Sequence, residues 1–98
     1  MKDIITQIFE IENKIKPEDL PQFKRNFQRI YHELEQEGYT IVNPMGQVYD
    51  ERDVSIEANI ADDSAENLKI TRVLKPTIYK NEGDGKNILI QKAVVIVA

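Results

Sequence analysis

Few residues in this sequence have the types and spacing that catalysis requires. His32 is the single histidine, and with no cysteine in the chain it has no partners for a zinc site or a catalytic triad. Asp50, Glu51 and Asp53 bring three carboxylates together, and such groups can act as general acid and base when burial separates their pKa values. Because the sequence around them is a charged turn, we expect a solvated turn there and a surface position for His32.

The segment 81–87 carries Gly83 and Gly85 among polar residues and faintly resembles a calcium-binding loop. It lacks the regular series of oxygen ligands and the terminal glutamate that such a loop needs. Its glycines are also too close together to cradle a phosphate. We therefore predict a hairpin loop, with no metal, no cofactor and no enzymatic activity.

Lys24, Arg25 and Arg29 form a basic patch on one predicted helix, of the kind that a recognition helix places in a DNA groove. The neighbouring acids Glu33 and Glu35 dilute the patch, and the chain has a net charge of -4. An acidic chain is attracted weakly to phosphates. We expect no nucleic-acid binding, although a helix-based nucleic-acid binder stays open as a minor alternative.

Composition favours a small folded protein, with 41% hydrophobic and 31% charged residues among 98. This length suits one domain or two small subdomains that share a core. No apolar run approaches the ~20 residues of a membrane span, and the first residues do not resemble a signal peptide. The expectation is a cytoplasmic protein without membrane contact.

Two amphipathic helices are predicted, over residues 3–15 and 20–37. In the first, isoleucines recur at steps of four, three and four, and the second has the same seven-residue stripe, which is typical of helices packed side by side. Gly38 follows the last apolar position, where a left-handed helix end is expected. The stripes could pair two hairpins into a dimeric four-helix bundle or pack on the chain's own sheet. The predicted bundle residues are Ile4, Ile8, Phe23, Phe27, Ile30 and Leu34.

After Gly38 the hydrophobic period changes to that of strands. Strands are predicted over residues 39–42, 52–61, 68–74 and 88–98, with polar loops over 62–67 and 81–87. The predicted fold class is therefore α+β. A helical hairpin over residues 1–38 precedes a small, mostly antiparallel β-domain over residues 39–98.

Several short segments, in order, resemble the GrpE family, the nucleotide exchange factors of DnaK-type chaperones. They are a junction around Gly38, an apolar-residue–Asp step at 48–50, a Glu-Ala pair at 57–58, and the strand sequences 70–75 and 90–97. GrpE proteins usually begin with a long paired helix. No such helix precedes the predicted hairpin here, so we expect a fragment or a naturally shortened relative.

The resemblance implies a homodimeric co-chaperone that has no catalytic residues of its own. Its β-domain would bind the nucleotide-binding domain of a DnaK-type chaperone and promote ADP release. By position, Gly38, Leu74, Lys86 and Val97 match the residues that contact the chaperone. For Leu74 and Val97, core packing is the alternative interpretation. A dimeric interaction module of GrpE-like shape with another partner is the main alternative function.

Overall fold

The computed structural model describes residues 1–61 and 67–98, and this part of the chain forms two helices followed by six strands in two small sheets. The fold is α+β, as predicted. The residues expected to form the polar loop 62–67 lie outside the described part, except for residue 67. The elements are α1 (Lys2–Lys14), α2 (Leu20–Gln36), β1 (Tyr39–Val42), β2 (Ile56–Ile60), β3 (Ile70–Lys75), β4 (Thr77–Asn81), β5 (Asn87–Gln91) and β6 (Ala93–Val97).

Both predicted helices are confirmed to within one residue at each end. Helix α1 ends before Pro17 because the residue that precedes a proline disfavours helical backbone. Helix α2 has a proline in its first turn, where the missing N–H breaks no helical hydrogen bond. In the described part of the chain neither helix has the length and hydropathy needed to cross a membrane.

The two sheets each contain three strands. The first has the order β1-β4-β5 and is antiparallel throughout. The second has the order β2-β6-β3, in which β6 pairs in parallel with β2 and antiparallel with β3. Strand β6 therefore lies at the centre of its sheet, paired along both edges. Its apolar run over residues 93–97 has one face fully buried, through Ala93, Val95 and Val97, and one face half-buried, through Val94 and Ile96.

Three predictions about the strands were wrong. The strand expected over 52–61 is the shorter β2, because the segment before Ile56 is a turn held by hydrogen bonds to Asp50 and Asp53. The strand expected over 88–98 is divided at Lys92 into β5 and β6, and β4 was not predicted. The last two errors have one physical reason. The segments β3-β4 and β5-β6 are the two arms of one long hairpin, and both arms pass from one sheet to the other at neighbouring positions. Pro76 separates β3 from β4 opposite the break at Lys92, and the Gln91 Nε2 donates a hydrogen bond to the Pro76 carbonyl oxygen at 2.9 Å. Proline suits this bend because it has no N–H to donate to a sheet.

Helix α1 lies across both sheets and completes the core. Ile5 packs in a buried cluster with Leu34 and Ile78, whereas Phe9, one turn later, packs in a second cluster on β3 and β6. Between these two positions Thr6 accepts a hydrogen bond from Gln91 Nε2 at 3.0 Å. The helix thus packs on the chain's own sheets through Ile5 and Phe9, which widen the predicted isoleucine stripe on one side.

The predicted stripe of α1 is largely uncovered. Ile4 is 58% exposed and Ile11 is 54% exposed, while Ile8 is half-buried. At ~100° per residue, this stripe lies about a third of a turn around the helix from Ile5 and Phe9. Helix α1 therefore has one wide apolar arc, and the sheets cover the side that carries Ile5 and Phe9 while leaving Ile4 and Ile11 largely exposed.

Candidate partner-binding surface

Gly38 joins α2 to β1 in a backbone conformation that favours glycine. Its φ is +92°, in the left-handed region predicted for this helix end. The Gly38 N–H donates to the Glu35 carbonyl at 2.9 Å, and the Asn81 N–H donates to the Gly38 carbonyl at 2.8 Å. The end of α2 is therefore fixed to the end of β4.

Lys80 supports the same junction, and sequence reasoning did not identify it. Its Nζ donates to the carbonyl of Glu37, the C-cap of α2. The same Nζ lies 4.3 Å from the centroid of the Tyr39 ring. A cation at a helix C-terminus is favoured because the unpaired carbonyls there carry partial negative charge, and the aromatic face adds a second attraction. No local pattern signals these contacts, since Lys80 reaches a residue 43 positions away.

Lys86 lies at the same end of the β1-β4-β5 sheet as Gly38. Asn81, which bonds to Gly38, begins the loop that ends at Lys86, and the Glu82 N–H donates to the Lys86 carbonyl at 3.2 Å. The Lys86 side chain is exposed. The structure thus brings together two of the four residues that the resemblance assigns to the chaperone interface.

The loop between β4 and β5 is a hairpin connection, as predicted. Side-chain oxygens that could bind calcium accept hydrogen bonds from the loop's own backbone instead. Asn81 Oδ1 accepts from the Gly83 N–H at 2.8 Å, and Asp84 Oδ1 accepts from the Lys86 N–H at 3.1 Å. No group of three or more histidine, aspartate or glutamate side chains arranged for a metal occurs within residues 1–61 and 67–98.

Leu74 and Val97 have different surroundings from Gly38 and Lys86. Leu74 is half-buried and lines a groove of 490 Å³ between β3 and the C-terminal half of α1, beside Met45 and Lys14. Val97 is 0% exposed and packs in the core cluster with Ile70 and Phe9. The position of Val97 therefore agrees with the alternative interpretation, core packing. Its side chain is not accessible to a partner while the sheet is intact.

The predicted bundle residues also separate into two groups. Phe27 and Leu34 are buried within the chain, and Ile30 packs beside Leu34 against the cluster that contains Ile5. Ile4 and Phe23 are exposed. The helical face available to a second copy is therefore narrower than predicted, because the buried residues of α2, and Ile5 and Phe9 of α1, pack within the chain.

The remaining candidate groups have structural partners or lie in solvent. Asp50 forms a 3.1 Å ion pair with Arg52, which lowers the pKa of the Asp50 carboxyl through hydrogen bonding and charge. Asp53 Oδ1 accepts hydrogen bonds from the Ser55 N–H and hydroxyl. These bonds organise the turn before β2. His32 is exposed, as are Lys24, Arg25 and Arg29.

Tyr31 connects the two helices beside a groove of 740 Å³ that also contains Glu12, Phe27 and Pro17. Its hydroxyl donates to Glu12 Oε1 at 2.8 Å. Burial raises the pKa of Tyr31 above its ordinary value, and the bond to Glu12 and the charge of that carboxylate raise it further. The neutral phenol is thus favoured by the fold.

This interaction predicts a loss of stability in alkaline solution. Because the folded pKa is raised, the stabilisation from Tyr31 is complete below the unfolded pKa of ~10 and declines as the pH rises above it. Replacing Tyr31 by phenylalanine should reduce the free energy of unfolding at neutral pH. It should also make the decrease of that free energy between pH 10 and 12 less steep. Urea unfolding at several pH values measures both effects, with Tyr79→Phe as the matched control; equal pH slopes for all three proteins would contradict the prediction.

In comparisons with known proteins, the chain matches no family model, no curated protein and no solved structure.

Proposed function

We propose that this protein is a GrpE-like co-chaperone that promotes ADP release from a DnaK-type chaperone. The observation that carries the proposal is the junction at Gly38, where helix α2 meets strand β1 through a left-handed glycine. Bonds from Asn81 and Lys80 fix this junction, so the β-domain is held in one orientation relative to the end of α2. A fixed orientation is what a protein needs if it is to push on a partner's domain.

The proposed action is a shift of population and requires no catalytic group. The β-domain binds the open state of the chaperone's nucleotide-binding domain better than the closed state, and the difference in affinity favours opening. ADP then dissociates faster from the open cleft. The protein itself is not an enzyme, binds no cofactor and acts as a homodimer.

The proposed interface uses exposed or half-buried residues from two places on the β-domain. Gly38 and Lys86 lie at one end of the β1-β4-β5 sheet. Leu74 contributes from β3, at the groove beside α1. Val97 is assigned a supporting role, since it packs in the core on β6, the strand paired with β3.

Stopped-flow release of a fluorescent ADP analogue from a DnaK-type chaperone tests this function. The protein should accelerate release until the rate saturates with its concentration. Lys86→Glu should weaken the effect about tenfold, since reversing a charge at an interface replaces attraction by repulsion. Lys16→Glu is the matched control, because Lys16 is equally exposed but lies between the helices.

Two results would contradict the proposal in different ways. No acceleration by a folded dimer would favour an interaction module with another partner. Acceleration that Lys86→Glu and Lys16→Glu reduce equally would preserve the activity but exclude the assigned interface.

A further inference from the structure

The side of α1 that carries Ile4, Ile8 and Ile11 is a short apolar seam that residues 1–61 and 67–98 leave largely uncovered. Ile4, Ile8 and Ile11 follow one another at steps of four and three, the spacing of a helix-pairing seam. The sheets cover the other side of α1 through Ile5 and Phe9. The two ends of the seam, Ile4 and Ile11, are more than half exposed. The seam ends at Ile15, whose backbone is already extended.

One side of this seam carries charged and polar residues in a self-complementary order. Asp3, Gln7, Glu10 and Lys14 lie along it, with Asp3 and Lys14 at opposite ends. In a parallel second copy, two-fold symmetry would place this side of one helix beside the opposite side of its partner, so these charges would not meet one another. In an antiparallel copy, Lys14 lies opposite Asp3 of the other chain, and Gln7 lies opposite Glu10. Both pairs occur in the same register, because the two residue numbers in each pair add to the same sum.

The antiparallel arrangement also aligns the apolar side chains. With a two-fold axis beside Ile8, this residue meets its own copy and Ile4 meets Ile11 of the other chain. A two-fold interface must be self-complementary in this manner. The apolar seam and the polar side thus select the same antiparallel orientation, and their registers agree to within about two residues, or ~3 Å along the helix.

We propose that two copies of this protein associate through an antiparallel α1–α1 contact in which Ile4, Ile8 and Ile11 form the seam. This inference rests on the homodimer of the proposed function and gives it a specific interface. The predicted bundle residues Phe27 and Leu34 are not part of the contact, because each chain has buried them for itself.

Cysteine cross-linking tests the orientation directly, since the chain has no cysteine of its own. A mixture of Ile4→Cys and Ile11→Cys proteins should form a mixed disulfide under mild oxidation. Ile4→Cys alone should not, because the two copies of position 4 lie seven residues, or ~10 Å, apart along the paired helices. A disulfide needs Cα atoms within about 7 Å of each other. Self-linked Ile4→Cys as the main product would overturn the antiparallel contact.

Sedimentation equilibrium of the full chain tests the seam. Ile11→Glu should weaken the dimer by about 100-fold or more, because two-fold symmetry introduces the buried charge twice. Val54→Glu, at an exposed apolar position before β2, should leave the dimer unchanged. Circular dichroism should show both variants folded. A wild-type chain that is monomeric at all concentrations, or a dimer that Ile11→Glu does not weaken, would overturn the inference.

This experiment is independent of the chaperone. A monomer that accelerates ADP release would contradict the proposed α1 contact but support the proposed exchange activity. An antiparallel dimer without exchange activity would support the α1 contact but contradict the proposed exchange activity.

Discussion

Replacing Ile5 by alanine should lower the free energy of unfolding by about 3 kcal/mol, as for other buried isoleucines truncated to alanine. Ile5 is 0% exposed and contacts residues of α2 and of the β1-β4-β5 sheet in one cluster. A cavity at this position would loosen the helix where it crosses between the sheets. For a chain of this size we expect a decrease in Tm of roughly 12–24 °C.

Ile4→Ala is the matched control, because the same residue type one position earlier is largely exposed. We expect a loss below about 1 kcal/mol, as is usual for exposed positions. Urea unfolding followed by circular dichroism measures both variants, at protein concentrations low enough that association does not contribute. Equal losses at the two positions would show that the assigned buried face of α1 is wrong.

The comparison of Ile4 with Ile5 also shows what the sequence could predict. Local signals place both helices well, since the apolar period, Pro17 and Gly38 act within a few residues. They do not determine which side of a wide apolar arc is buried. That choice depends on where the sheets present their own apolar side chains, and the relevant contacts join Ile5 to Ile78, far along the chain.

The bends at Pro76 and Lys92 were beyond local reasoning for a related reason. Residues 88–98 are continuously favourable for a strand. Their hydrophobic period does not change at Lys92, where the chain passes from one sheet to the other. Sheet membership is set by hydrogen bonds to distant strands, β4 for β5, and β2 and β3 for β6. Pro76 is a local sign of the bend, because a proline limits the continuation of β3, but it does not reveal that the chain enters a second sheet.

The backbone at the Gly38 junction was predicted, whereas the side-chain contacts that hold it were not. Gly38 was identifiable because a glycine after the last apolar residue of a helix has a well-understood backbone role. Leu74, Lys86 and Val97 were assigned by resemblance alone, and burial separates them into a groove residue, an exposed cation and a core residue. Lys80 was missed since its two partners, the Glu37 carbonyl and the Tyr39 ring, are brought to it only by the pairing of β1 with β4.

Replacing Gly38 by alanine should destabilise the protein by about 2 kcal/mol. A residue with a Cβ in a left-handed conformation loses about 1–2 kcal/mol relative to glycine. The new Cβ would also lie 3.3 Å from the Asn81 carbonyl oxygen and 3.4 Å from Lys80 Nζ, so the contacts that fix the junction would have to move. Thermal and urea unfolding measure the loss.

Gly85→Ala separates the two contributions. Gly85 has a similar φ of +82°, but no described atom lies within 4 Å of a Cβ placed there. This variant should lose only the backbone part, about 1 kcal/mol. Equal losses for the two variants would mean that the contacts around Gly38 add nothing to stability.

The same pair of variants connects stability with the proposed function. If the junction orients the β-domain, Gly38→Ala should slow ADP release at temperatures where it is fully folded, because Asn81 and Lys80 hold the end of α2 through that backbone. Gly85→Ala strains a loop backbone but leaves these bonds in place. The contrary result is that Gly38→Ala is measurably less stable than Gly85→Ala but leaves the rate of ADP release unchanged. That result would show that the junction stabilises the fold without orienting the partner surface.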